Sequence, residues 1–88
     1  MGYKRFKDQI LQQILEACSG EGVSKTQVVY KSGLNFQTVI PYMELLRRNG
    51  LAVRIEGEIP RYRTTEKGAE ALGHMRALEE LIQYRWVV

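Results

Sequence analysis

The stretch from Val23 to Asn49, V-S-K-T-Q-V-V-Y-K-S-G-L-N-F-Q-T-V-I-P-Y-M-E-L-L-R-R-N, holds two helix starts and two helix stops. That punctuation constrains everything around it. Ser24 offers a side-chain oxygen to cap a helix running through Thr26, Val28, Val29 and Tyr30. Gly33 supplies the positive-φ position that ends it. After Leu34, Asn35 is the next N-cap, and Asn49-Gly50 is the next stop. On the second helix Phe36, Val39, Ile40, Met43 and Leu46 recur at helical spacing and form an apolar face. Gln37, Thr38, Pro41, Glu44 and Arg48 fall on the other side. A short helix, a tight turn and a second helix make a helix-turn-helix. Hydrogen-bonding residues exposed at the start of the second helix are what major-groove reading requires. The same residues also suit a plain helical hairpin with a solvated face, because a fold does not carry a function by itself.

Upstream, Lys4, Arg5 and Lys7 lead into a helix expected from Phe6 to Cys18 or Ser19. Ile10, Leu11, Ile14, Leu15 and Cys18 form its amphipathic stripe, and Gly20 and Gly22 terminate it. Val23 is expected to make a single-residue strand contact. Downstream of Gly50, L-A-V-R-I alternates as a strand with Leu51, Val53 and Ile55 inward. E-G-E-I-P follows as a turn, and R-Y-R-T-T as a second strand with Tyr62 toward the core and Arg61 and Arg63 toward solvent. Thr65 caps a last helix, with Glu66 in its first turn. Three helices and then a two-stranded hairpin give a mainly α fold with a small β-hairpin, the winged elaboration of the helix-turn-helix. Glu56 and Glu58 at the wing tip oppose phosphate contact, whereas Arg54, Arg61 and Arg63 at its flanks favour it.

The last helix is expected from Glu66 to about Tyr84. Ala71, Met75, Leu78 and Ile82 follow the four-three-four spacing of a helix–helix seam, widened by Leu72 and Leu81. Trp86, Val87 and Val88 extend the apolar surface. Gly73 weakens this helix by about 1 kcal/mol relative to Ala. The stripe can fold back on its own domain or pair with a second copy, and a small domain gains most from the second. The chain therefore divides into residues 1–65, a winged helix-turn-helix DNA-binding domain, and residues 66–88, a dimerisation helix.

Charge placement adds to this. The net charge is +3; residues 1–65 carry ten Lys/Arg against six Asp/Glu, and residues 66–88 three against four. A basic front and a nearly neutral last helix suit a nucleic-acid face with a separate partner surface. One histidine, His74, and one distant cysteine, Cys18, do not make a metal site. Cys18, on the stripe of the first helix, reads as a small buried hydrophobe and fits a reducing compartment. No glycine loop of the phosphate-binding kind occurs, and Glu79 and Glu80, adjacent on a helix, point in different directions. Neither an enzyme nor a cofactor is expected. No apolar run reaches membrane-spanning length, and M-G-Y-K-R-F-K-D lacks the apolar core of a signal peptide, so a cytoplasmic, nucleoid-associated protein is expected.

Four runs carry a resemblance: I-L-x-x-I-L-E-A-C; S-K-T-Q-V-V-Y-K-S-G-L-N-F; Y-M-E-L-L-R-R-N-G-L; and Y-R-T-T-E-K-G-A-E-A-L. Together they resemble an archaeal winged-helix family of small transcription regulators and chromatin-type DNA-binding proteins. Its Sulfolobus members dimerise through an antiparallel coiled coil of their last helices. The most specific pieces are Lys25, Thr26 and Tyr30, the L-N-F start of the second helix, and T-E-K-G at Thr65 to Gly68. The resemblance implies a homodimer that binds double-stranded DNA. It places Lys25 and Thr26 on phosphates, Gln37 and Thr38 toward the groove, and Arg61 and Arg63 near the backbone beside the wing. Two departures from that pattern stand out. Pro41 either kinks the recognition helix or marks where the regular helix starts. The last helix is also shorter than in the coiled-coil members, which implies a more compact dimer.

The expectation is a dimeric transcription regulator that binds double-stranded DNA, reading the major groove with residues 35–49 and contacting the backbone with the wing at residues 54–63. Lys25, Lys31, Arg48, Arg61 and Arg63 should then converge on one face. A dispersed pattern would favour a winged-helix protein–protein module instead. A sequence-independent nucleoid protein is the third alternative.

Overall fold

The computed structural model describes residues 7–82, ordered α1 (Lys7–Ala17), α2 (Lys25–Ser32), α3 (Phe36–Arg48), β1 (Ala52–Ile55), β2 (Arg61–Thr64) and α4 (Glu66–Ile82). Each boundary follows from local chemistry. Ser24 accepts a hydrogen bond from the Gln27 amide at 3.2 Å, while the Gln27 side chain accepts from the Ser24 amide at 3.0 Å. This reciprocal capping box starts α2. Gly33 ends α2 in the left-handed region at φ 73°, its amide donating to the Val29 carbonyl. The Asn35 side chain then accepts from the Thr38 amide at 2.8 Å and starts α3. The α3 helix runs on from Phe36 to Arg48 with Pro41 inside it, so the regular helix does not start near Pro41. Pro41 supplies no amide to the Gln37 carbonyl, and it sits on an exposed position of the helix.

The core gathers one face from each helix. Ile10, Ile14, Leu15 and Cys18 come from α1 and the residue after it, Val28 from α2, and Val39, Met43 and Leu46 from α3. Complete burial of each large aliphatic side chain contributes about 1.5–3 kcal/mol. Phe36 and Ile40, expected on that same apolar face, are 46% and 39% exposed. Val39, Met43 and Leu46 already fill the arc of α3 that meets the core, and the other two fall beside it.

The wing is a two-stranded antiparallel sheet in which Ala52 pairs with Thr64, Val53 with Arg63, Arg54 with Tyr62 and Ile55 with Arg61. A bridge from Val23 to Tyr62 adds a short third rung, as expected for Val23. Tyr62 is buried and Arg61 and Arg63 are exposed, also as expected. The other strand has the opposite phase. Ala52 is the buried residue of β1, Val53 is 37% exposed, and Ile55 is half-buried on the Val53 side. Cross-strand partners share a face, so an inward Tyr62 brings Arg54 to its side and turns Val53 and Ile55 away. Leu51 packs against the core just before the strand begins.

The T-E-K-G segment joins the start of α4 to the α3–β1 turn. The Thr65 hydroxyl donates to the Gly50 carbonyl at 2.6 Å and accepts from the Gly68 amide at 3.0 Å. Lys67 Nζ donates to the Asn49 carbonyl at 2.9 Å, and the Thr65 amide donates to the Leu51 carbonyl at 3.0 Å. Gly68 is needed for this approach. A Cβ there would overlap the Leu51 carbonyl oxygen and lie 2.7 Å from Thr64 Cγ2. Further along α4, Leu72 is buried in the core rather than widening an outer seam, and Met75 packs against the same core.

Candidate nucleic-acid interface

Tyr62 is where the helix-turn-helix and the wing meet. Its strand is held on one side by β1 and on the other by Val23, whose amide and carbonyl both bond to Tyr62 at 3.0 and 2.6 Å. The fixed ring has a cation on each of two flanking elements. Lys25 Nζ, at the first position of α2, lies 5.8 Å from the ring centroid, and the Arg54 guanidinium of β1 lies 6.0 Å from it. Both distances are within cation–π range. Ser24, Lys25, Thr26, Arg54, Ile59, Pro60 and Tyr62 line a shallow groove of about 200 Å³ there. Arg54 also pairs with Glu56 at 3.0 Å, which holds its head near the wing.

Other expected residues are placed around this groove or away from it. Thr26 lines it. Arg61 is exposed, and its guanidinium donates to the Glu21 carbonyl at 3.2 Å, beside the loop that precedes α2. Arg63 is exposed on the outer side of the wing, opposite Val53. Gln37 and Arg48 are exposed on α3, whereas Thr38 is half-buried, its amide held by the Asn35 cap. Lys31 lies elsewhere. It lines a second groove between α1 and α2 with Gln13, Glu16, Ala17 and Ser32.

Arg54 was expected only as a flank residue of the wing that favours phosphate contact, and strand alternation, with Val53 and Ile55 inward, turned it away from Tyr62. The signal was nonetheless present in the hairpin. With Tyr62 inward and a turn at residues 56–60, the residue opposite Tyr62 shares its face.

The ridge of α3 that faces away from the core is set by the buried positions. Because Val39, Met43 and Leu46 point inward, Gln37, Pro41, Glu44 and Arg48 form the outermost line. Glu44 is paired with Arg47 at 3.2 Å, one turn along.

On α4, the seam expected for a second copy divides. Ala71 and Met75 are half-buried, while Leu78 and Ile82 are 52% and 56% exposed and Leu81 is 82% exposed. Trp86 lies outside the described residues, as do Lys4, Arg5, Phe6 and Tyr84. Arg76 on α4 pairs with Glu16 on α1 at 2.7 Å.

Among the described residues no cluster of His, Cys, Asp and Glu is able to hold a metal ion. Burial pushes the Cys18 thiol up to about 11, against a smaller opposing effect of the Lys31 charge. The thiolate is the reactive form, so Cys18 is inert near neutral pH. No described helix is long and apolar enough to cross a membrane.

Residues 4–83 match the family model described as winged helix-turn-helix. Among solved structures, the chain is similar to Sso10a-2, a DNA-binding protein from Sulfolobus solfataricus. The two are 26% identical with a TM-score of 0.80, over 90% of this chain and 83% of that one. It is also similar to the transcriptional regulator BldR from Sulfolobus solfataricus, at 20% identity and TM-score 0.69, over 90% of this chain and 63% of that one. A MarR family protein from Bacillus stearothermophilus matches at 22% identity and TM-score 0.62, over 93% of this chain and 62% of that one. The chain spans less than two thirds of these last two proteins, and the likeness to them is one of fold. No curated protein matches the sequence.

Proposed function

The chain belongs to the winged helix-turn-helix family, and on that footing we propose that it is a homodimeric double-stranded DNA-binding protein acting as a transcription regulator. The observation that carries the reading is the pair of cations, Lys25 from the helix-turn-helix and Arg54 from the wing, gathered around the Tyr62 ring. Cations supplied to one groove by two elements give it a positive character that attracts an anionic partner. Thr26 lines the same groove and adds a hydroxyl, while Arg61, on the other face of β2 and bonded to the Glu21 carbonyl, adds a cation outside it. In this reading these groups hold phosphates and position the protein, while the α3 ridge that begins at Gln37 enters the major groove. The likeness to Sso10a-2, itself a DNA-binding protein, supports the same assignment. The exposed end of α4, with Leu78, Leu81 and Ile82, is the surface for the second copy. Residues 1–65 then form the DNA-binding part and residues 66–88 the dimerisation helix.

A second reading, a protein–protein module, is favoured by the wing tip, where Ile59 is 69% exposed beside Glu58. Lys31 in its separate groove points the same way. Titration against random duplex DNA at two salt concentrations separates the two readings. DNA binding predicts affinity that falls steeply with salt, with a slope shallower by about one unit for each phosphate contact removed in Lys25→Ala or Arg54→Ala. A folded protein that binds no duplex at low salt leaves the protein-partner reading in place.

A further inference from the structure

We propose that α3 reads A·T base pairs by covering thymine 5-methyl groups with Phe36, Ile40 and Pro41, and that Gln37 pairs with the adenine edge. This rests on the DNA-binding reading above and specifies what its recognition helix selects. The first two turns of α3, Phe36 to Met43, contain no Arg or Lys. These are the side chains that bond the O6 and N7 of guanine. Their solvent side instead presents Phe36 at 46% exposure, Ile40 at 39% and an exposed Pro41, with Gln37 between them. Among the described residues Val39, Met43 and Leu46 fill the core side of α3, which leaves Phe36 and Ile40 partly exposed at its margin, next to the ridge that begins at Gln37.

Major-groove chemistry supplies a matching surface. The thymine methyl is its one apolar feature, and the amide of a Gln can bond the N6 and N7 of adenine in a bidentate pair. The shape agrees as well. A helix with its side chains is about 10–12 Å across, and the major groove is about 12 Å wide. Charge is complementary around the apolar ridge: Arg47 and Arg48 close its C-terminal end, and Arg47 already offsets the only carboxylate on α3, Glu44.

The experiment compares the full chain's affinity for a short alternating dA·dT duplex with that for the same duplex carrying deoxyuridine in place of thymidine. The phosphate charge and base pairing are retained, and only the major-groove methyls are lost. Tighter binding to the thymidine duplex is expected, by about fourfold for each methyl covered, the worth of one buried CH₂. In Ile40→Ser that preference should fall by about fourfold, the share of one covered methyl, while the salt dependence stays unchanged, because the phosphate contacts lie elsewhere. Phe36→Ala is the parallel variant if Ile40→Ser does not fold. Equal affinity for the two duplexes, or a preference for deoxyuridine, overturns this inference and leaves the DNA-binding reading standing. Absence of binding to any duplex at low salt overturns both.

Discussion

Gly68 and Leu72, in the first half of α4, are buried beneath the α3–β1 turn and against the helical core, whereas Leu78, Leu81 and Ile82, in its second half, are largely exposed. One helix thus belongs to the domain at one end and leaves its apolar side uncovered at the other. The Arg76–Glu16 pair lies between the two regimes. Helical spacing by itself does not distinguish them, because the same three- and four-residue steps run through both halves. What separates them is the neighbour available. The first half has Leu51, Thr64 and α1 against it, and beyond Arg76 no described element covers the apolar side chains to that extent. A stripe at helical spacing therefore shows that something is covered, and the surrounding elements decide whether that something is the chain itself.

Substitutions along α4 should reproduce the contrast. The largest effect is expected for Gly68→Ala, which drives a methyl group into the Leu51 carbonyl and Thr64. Loss of about 3 kcal/mol or more is expected in urea denaturation, since the obstacle is backbone. Leu72→Ala should follow, at about 2–3 kcal/mol, the lower part of the range for an emptied core site. Gly73→Ala, one residue further on, should act in the other direction. No atom of the described residues lies within 4 Å of the added Cβ, so a gain of about 0.5–1 kcal/mol from helix propensity is expected. Paired Leu78→Ser and Leu81→Ser should change the stability of dilute protein least, by about 0.5 kcal/mol or less. Their effect should appear in association: the dependence of Tm on protein concentration expected of a dimeric parent should disappear. A large loss of stability in dilute solution would instead place those leucines in the domain's own core.

Much of the fold was legible because the chain marks its ends with residues whose local chemistry is unambiguous. Ser24, Gly33, Asn35 and Thr65 act within a few residues of themselves, and the structure shows each in its expected role. Tyr62 was readable as the inward residue of β2 for its size and apolarity. The face of β1 was not, because Ala52 is small and Arg54 charged, while Val53 and Ile55 look like core residues. Ala52 is buried for a tertiary reason, the register opposite Thr64. Gly68 was recognisable within a motif, but its cause, the Leu51 carbonyl, lies across the fold. The hairpin register alone puts Arg54 on the Tyr62 face, but Lys25 reaches the ring only once α2 is docked, so the pairing of the two cations could not be read from spacing. The apolar face of α3 was overextended for a related reason. Phe36 and Ile40 fit the helical pattern, but the arc that meets the core is narrower than the pattern.

The most direct test of the whole account is the mass of the complex formed on a short duplex at low salt, measured by sedimentation for the parent and for the Leu78→Ser, Leu81→Ser variant. Two chains on the duplex for the parent, with weaker binding by single chains of the variant, is the predicted result: DNA held by the helix-turn-helix and wing, and copies joined by the outer half of α4. No complex at low salt, or two chains held equally tightly by parent and variant, would contradict it.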